Sequence, residues 1–109
     1  MIDLITEARK FQELCQSMSW RFCFIGGLAV QHWGEPRLTR DVDVSILTGF
    51  GSEEEFISTI LKVYRPRFTD AAQFAQRHRV LLVQTSSEVD FDISLADPEL
   101  SPAVEFWSP

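Results

Sequence analysis

The chain has 109 residues, 45% of them hydrophobic and 24% charged. That is room for one small domain with one core, and it excludes both a separate substrate domain and the composition of a disordered chain. A formal net charge of −6 supplies no global basic field, which argues against broad capture of nucleic acid but allows a local basic patch at Arg37 and Arg40.

Leu4, Ile5, Ala8, Phe11, Leu14, Cys15 and Met18 recur at three- and four-residue steps. They predict an amphipathic helix over residues 2–18, with Asp3 as N-cap. Its start is acidic and lacks the apolar core of a signal peptide, and no apolar run approaches a membrane span. A cytoplasmic protein with no membrane partner is expected. Cys15 and Cys23 stand among apolar residues and read as reduced core thiols; no His or Cys is spaced to make them metal ligands.

Residues 21–25 are mostly apolar and predict a short buried strand. Gly26 and Gly27 then turn the chain into a short helix over 28–33, followed by a Gly- and Pro-containing loop over 34–37. The next strand, 41–47, alternates: Asp41, Asp43 and Ser45 on one face, Val42, Val44 and Ile46 on the other. Ser52 opens a helix running to about residue 64, with Glu55 completing a capping box. Arg65-Pro66-Arg67 breaks it. A short helix over 70–77, capped by Thr69 or Asp70, leads to strands 79–85 and 89–95, joined by a tight turn at 86–88 as an antiparallel hairpin. Residues 96–109 read as an irregular Pro-rich tail behind a domain over 1–95. The expected fold is α/β (α+β): a small mixed β-sheet flanked by helices.

The stretch FIGGLAVQHWGEPRLTRDVDVSIL carries the chemistry. Gly26 and Gly27 lack side chains, so a phosphate can approach the backbone at a helix N-terminus. Asp41 and Asp43 lie two apart on a strand, so both carboxylates project from one face, as a Mg²⁺ clamp requires. Two-metal phosphoryl chemistry asks for a further acid. The segment VDFDISL offers Asp90 and Asp92, and Asp92 is preferred because Asp90 lies nearer the turn and is expected to be more solvated. Such a trio repels itself, so Mg²⁺ is expected to stabilise the fold.

Several residues have plainer readings. His32 suits a helix surface, and His78 a helix C-terminus. Trp33 suits core packing, although it and Phe50 flank the predicted site and could stack on a base. Arg65, Arg67, Arg77 and Arg79 form either a basic strip for RNA or simple partners for acidic neighbours.

With Gly26-Gly27, Asp41-x-Asp43 and a later acid in hand, the chain resembles the nucleotidyltransferase superfamily, the DNA polymerase β-like fold. The stretch from Gly26 to Leu47, with Thr39-Arg40 just before the first acid, is similar to the AbiEii-type nucleotidyl transferases of bacterial toxin–antitoxin systems. The resemblance implies that Gly26 and Gly27 bind phosphates, with Arg37 and Arg40 contacting phosphate or acceptor. Asp41, Asp43 and Asp92 would ligate two Mg²⁺ ions, with Asp92 also helping to deprotonate the acceptor. The implied reaction moves an NMP from an NTP to a hydroxyl of RNA, protein or a small molecule, releasing pyrophosphate. Relatives carry further helices after the third acid, whereas this chain ends at Pro109. The alternative is therefore a non-catalytic, nucleotidyltransferase-like regulator, antitoxin-like or a subunit in a homodimer or larger complex.

Overall fold

The computed structural model describes residues 4–25, 41–49 and 51–97. In chain order these form α1 (Leu4–Ser17), β1 (Phe22–Ile25), β2 (Asp41–Leu47), α2 (Glu53–Leu61), β3 (Arg65–Pro66), α3 (Ala71–His78), β4 (Val80–Gln84) and β5 (Asp90–Ala96). The five strands make one mixed sheet in the order β1-β2-β5-β4-β3. The central pair β2–β5 is parallel, and every other pair is antiparallel.

The alternation along each strand decides which side is covered. Val42, Val44, Ile46, Leu81, Val83, Phe91, Ile93 and Leu95 point inward and are buried. They form one core with Leu4, Phe11 and Cys15 of α1, Ile57 and Ile60 of α2, and Ala71 and Ala75 of α3. Phe11 sits at its centre, its ring 5.3 Å from Phe91, 5.9 Å from Tyr64 and 6.5 Å from Phe24. The described helices thus lie against one face of the sheet, and the other face carries the polar halves of β2 and β5. Both cysteines are free; burial pushes the Cys15 thiol up to about 12, which keeps it inert.

Several local expectations need correction. The strand at 22–25 is an edge strand rather than a buried one: Phe22 is buried, but Cys23 and Phe24 are half-buried and Ile25 is exposed. Among the described residues β1 has one neighbouring strand, β2, so its outer flank is left uncovered there. Ser52 makes no side-chain cap. Glu53 instead turns back onto the Gly51 N–H, at 3.0 and 3.1 Å, and accepts Arg79 Nη1 at 2.7 Å, which holds its carboxyl below the usual range. The helix stops at Leu61. Arg65-Pro66, read as a simple breaker, is the edge strand β3. Proline is tolerated there because its missing N–H faces away from the single partner strand. Ala96, assigned to the tail, pairs with Leu47 as the last residue of β5. The helix expected over 28–33, the loop over 34–37, and residues 98–109 lie outside the described residues.

Candidate active site

Cross-strand register builds the polar face in rows. In the parallel pair, Asp41 lies opposite Asp90, Asp43 opposite Asp92 and Ser45 opposite Ser94. Extending each row through β1 and β4 puts Ile25, Asp43, Asp92 and Leu82 in one line, with Cys23, Ser45, Ser94 and Val80 in the next. The acid from the C-terminal third of the chain is thereby brought beside the Asp-x-Asp pair. The chain also leaves β1 at Ile25, level with Asp43. Gly26 and Gly27 follow directly in sequence; they, together with Arg37, Arg40, His32, Trp33 and Phe50, lie outside the described residues.

Like charges facing one another in adjacent strands are unfavourable, and Asp43 bears the cost. Partial burial raises its carboxyl above the ordinary 3.8, and repulsion from Asp92 and then Asp41 raises it further, against a smaller opposing pull from Arg67. The sign of the pH dependence follows. A carboxyl raised in the folded state contributes stability that is present below its unfolded value and lost as pH rises through its folded value. Asp43→Asn should therefore raise the melting temperature of the chelator-treated protein at neutral pH, and the gain should vanish as pH falls toward 3.8. Thermal melts across that range check this; an Asp43→Asn protein less stable than wild type at neutral pH would contradict it.

Among the described residues, the cation that pairs with these acids is Arg67, which enters from just beyond β3. Its guanidinium pairs with Asp92 through Nη2, approaches Asp90 Oδ2 at 3.5 Å through Nη1, and donates to the Phe91 carbonyl at 3.1 Å. Asp90 also accepts Gln84 Nε2 at 2.8 Å, and Gln84 in turn accepts Arg65 Nη2 at 3.0 Å. A line of hydrogen bonds and ion pairs thus runs from Arg65 at the sheet edge to Asp92 at its centre. The expectation that Asp90 is the more solvated acid is reversed: the Asp90 side chain is 29% exposed and that of Asp92 41%. Gln84 and Arg67 together shield Asp90, whereas Asp92 stands next to Asp43 and opens to solvent. The preference for Asp92 as the third acid therefore loses its original reason, while the register sets Asp92 opposite Asp43 and Asp90 opposite Asp41.

The four arginines considered as a basic strip are separated. Arg65 serves Gln84, Arg67 serves the acids, and Arg79 is spent on Glu53 and the Gly49 carbonyl at 3.1 Å. Arg77 lines a concavity with Phe68 and Phe74. His78 ends α3 with its ring centroid 4.5 Å from that of Phe74, which is a packing role. Arg67 was the residue sequence reasoning missed as part of the site. The available signal was charge complementarity: two acids on one strand face, and an arginine beginning the connection to the neighbouring strand.

The carboxylates of Asp41, Asp43 and Asp92 are hard oxygen donors of the kind Mg²⁺ takes, and the repulsion raising the Asp43 carboxyl is what a bound cation would relieve. Among the described residues no three such side chains already close into a metal-binding cluster. Arg67 holds one of the three instead. No helix among the described residues is long and apolar enough to cross a membrane. No family model, curated protein or solved structure matches the chain.

Proposed function

We propose that the chain is a nucleotidyltransferase domain, moving an NMP from an NTP to a hydroxyl acceptor on RNA, protein or a small molecule, with release of pyrophosphate. The observation that carries this reading is the parallel register of β2 and β5, which sets Asp92 opposite Asp43 at the level where the chain leaves β1 for Gly26-Gly27. That sheet end then carries three carboxylates suited to Mg²⁺, and in the sequence a glycine pair suited to phosphates directly follows β1. The ion, when bound by Asp41, Asp43 and Asp92, would supply neutralisation of the triphosphate charge.

The acceptor oxygen attacks the α-phosphorus, its proton passes to the Asp92 carboxylate, and the bond from the α-phosphorus to the β-bridging oxygen breaks with pyrophosphate leaving. In this reading Gly26, Gly27, Arg37 and Arg40 receive the phosphates. Asp90, shielded by Gln84 and Arg67, positions the strand rather than the ion.

One observation favours a second reading. Arg67 already neutralises Asp92, and a domain released from catalysis could keep the acidic face as a structural ion-pair cluster. Such a domain would act as an antitoxin-like regulator or as a subunit of a complex. Calorimetric titration of each NTP with Mg²⁺ separates the two. Binding to the wild type and none to an Asp41→Asn/Asp43→Asn double variant is expected. No binding to either protein would favour the second reading and direct the search to a protein partner.

A further inference from the structure

Arg67 occupies an unusual position for a surface arginine. Its backbone N–H donates to the Leu82 carbonyl at 3.1 Å, and Leu82 lies opposite Asp92. The side chain must therefore cross β4 to reach β5. There its two terminal nitrogens are shared among Asp92, Asp90 and the Phe91 carbonyl, three acceptors on one strand. The side chain is only 23% exposed, and its Nε is buried without a hydrogen-bond partner among the described residues. Leaving that donor unmet has a cost, so this conformation is held by the carboxylates rather than by a full set of hydrogen bonds.

A guanidinium keeps its proton throughout the range in which proteins are folded, so the clamp does not open by deprotonation of Arg67. At neutral pH two things can open it: a cation that takes the carboxylates, or an anion that takes the guanidinium. A divalent ion alone offers only the first and meets the positive charge of Arg67 as it approaches. A metal–triphosphate offers both together. Arginine also matches phosphate oxygens as well as it matches carboxylates, with two parallel N–H donors.

We propose that Arg67 is a counter-cation coupling metal binding to triphosphate binding: it closes Asp92 against a divalent ion arriving alone, and leaves Asp92 for the phosphates when ion and triphosphate arrive together. This rests on the nucleotidyltransferase reading of the same face and adds a positioning residue to it. It also resolves a conflict within that reading, since Asp92 accepts the acceptor's proton only after Arg67 has left it.

The test is Mn²⁺ binding to the full chain, followed by the electron paramagnetic resonance signal of the free ion, with Mn²⁺ alone and then with inorganic triphosphate. Wild type is expected to bind Mn²⁺ weakly alone and about tenfold more tightly with triphosphate, within the usual size of coupling between two sites. Arg67→Gln removes the charge; it should bind Mn²⁺ alone about tenfold more tightly than wild type and lose most of the enhancement. Arg67→Lys keeps the charge without the fork and should bind Mn²⁺ alone as weakly as wild type, which keeps the test decisive if Arg67→Gln does not fold. An Arg67→Lys protein that binds Mn²⁺ alone more tightly than wild type would overturn the proposal. So would unchanged affinity and enhancement in Arg67→Gln. If Asp43→Asn abolishes Mn²⁺ binding in that case, the site reading stands while the role of Arg67 falls. Absence of Mn²⁺ binding to wild type under both conditions would remove the proposal and the site reading together.

Discussion

Asp43→Ala is expected to reduce nucleotidyl transfer by about a thousandfold or more while leaving the fold intact, because charge stabilisation lost with one positioned electrostatic group is worth several kcal/mol in the transition state. Asp43 is the most consequential of the three acids. It stands in one row with Asp92 and two residues along β2 from Asp41, and both repel its charge. A cation placed among them would therefore draw its largest electrostatic gain at Asp43. The neighbouring Val42 and Val44 are fully buried and hold the strand independently of the acid, so the substitution removes a ligand without opening the core. Transfer is measured as radiolabel moved from the α-phosphate of the NTP to an acceptor, with circular dichroism and a thermal melt as controls on folding. A folded Asp43→Ala protein with full activity would sink the mechanism.

Phe91→Ala should cost roughly 3–5 kcal/mol of folding stability, the range for emptying a large aromatic site in a packed core. Phe91 is fully buried, with ring contacts to Phe11 at 5.3 Å and Tyr64 at 5.5 Å. It thereby ties β5 to α1 and to the segment after α2. It also lies between Asp90 and Asp92, and its carbonyl accepts Arg67. The cavity would form directly behind the acidic face. For a domain of this size the loss should lower the melting temperature by roughly 15 °C or more. Urea unfolding measures it; a loss of less than about 1 kcal/mol would mean that α1 can collapse onto the vacated space, the usual reason such costs vary.

The alternation of Val42, Val44 and Ile46 with Asp41, Asp43 and Ser45, and of Phe91, Ile93 and Leu95 with Asp90, Asp92 and Ser94, makes β2, β5 and their polar face legible in the sequence. Alternation also implied that β5 could lie beside β2. It did not specify the parallel direction or the register that sets Asp92 opposite Asp43, since a period of two reads the same in either direction and at every second register. The position of Arg67 left only its charge as a signal. Its reach depends on β3, a two-residue strand containing a proline, and short edge strands leave almost no periodic signal. The missed cap at Ser52 shows a different limit. Ser52 and Glu55 have the right spacing, but the Glu55 N–H donates to the Ser52 carbonyl at 3.2 Å and not to its hydroxyl, which spacing alone does not reveal.

The parallel β2–β5 pair also determines when during folding the acidic face comes into being. β4 and β5 are joined by a tight turn, with the Glu88 N–H donating to the Thr85 carbonyl at 3.0 Å, so that hairpin closes a short loop. β2 and β5 are separated by nearly half the chain, and their closure carries a much larger entropic penalty. The hairpin can therefore form, with Asp90 already beside Gln84, well before Asp92 meets Asp43. A nascent or partly unfolded chain would carry the acids on separate strands, unable to trap divalent ions through the combined site. On the proposed reading, metal capture would begin only once the β2–β5 pair closes, so it would report formation of the sheet centre.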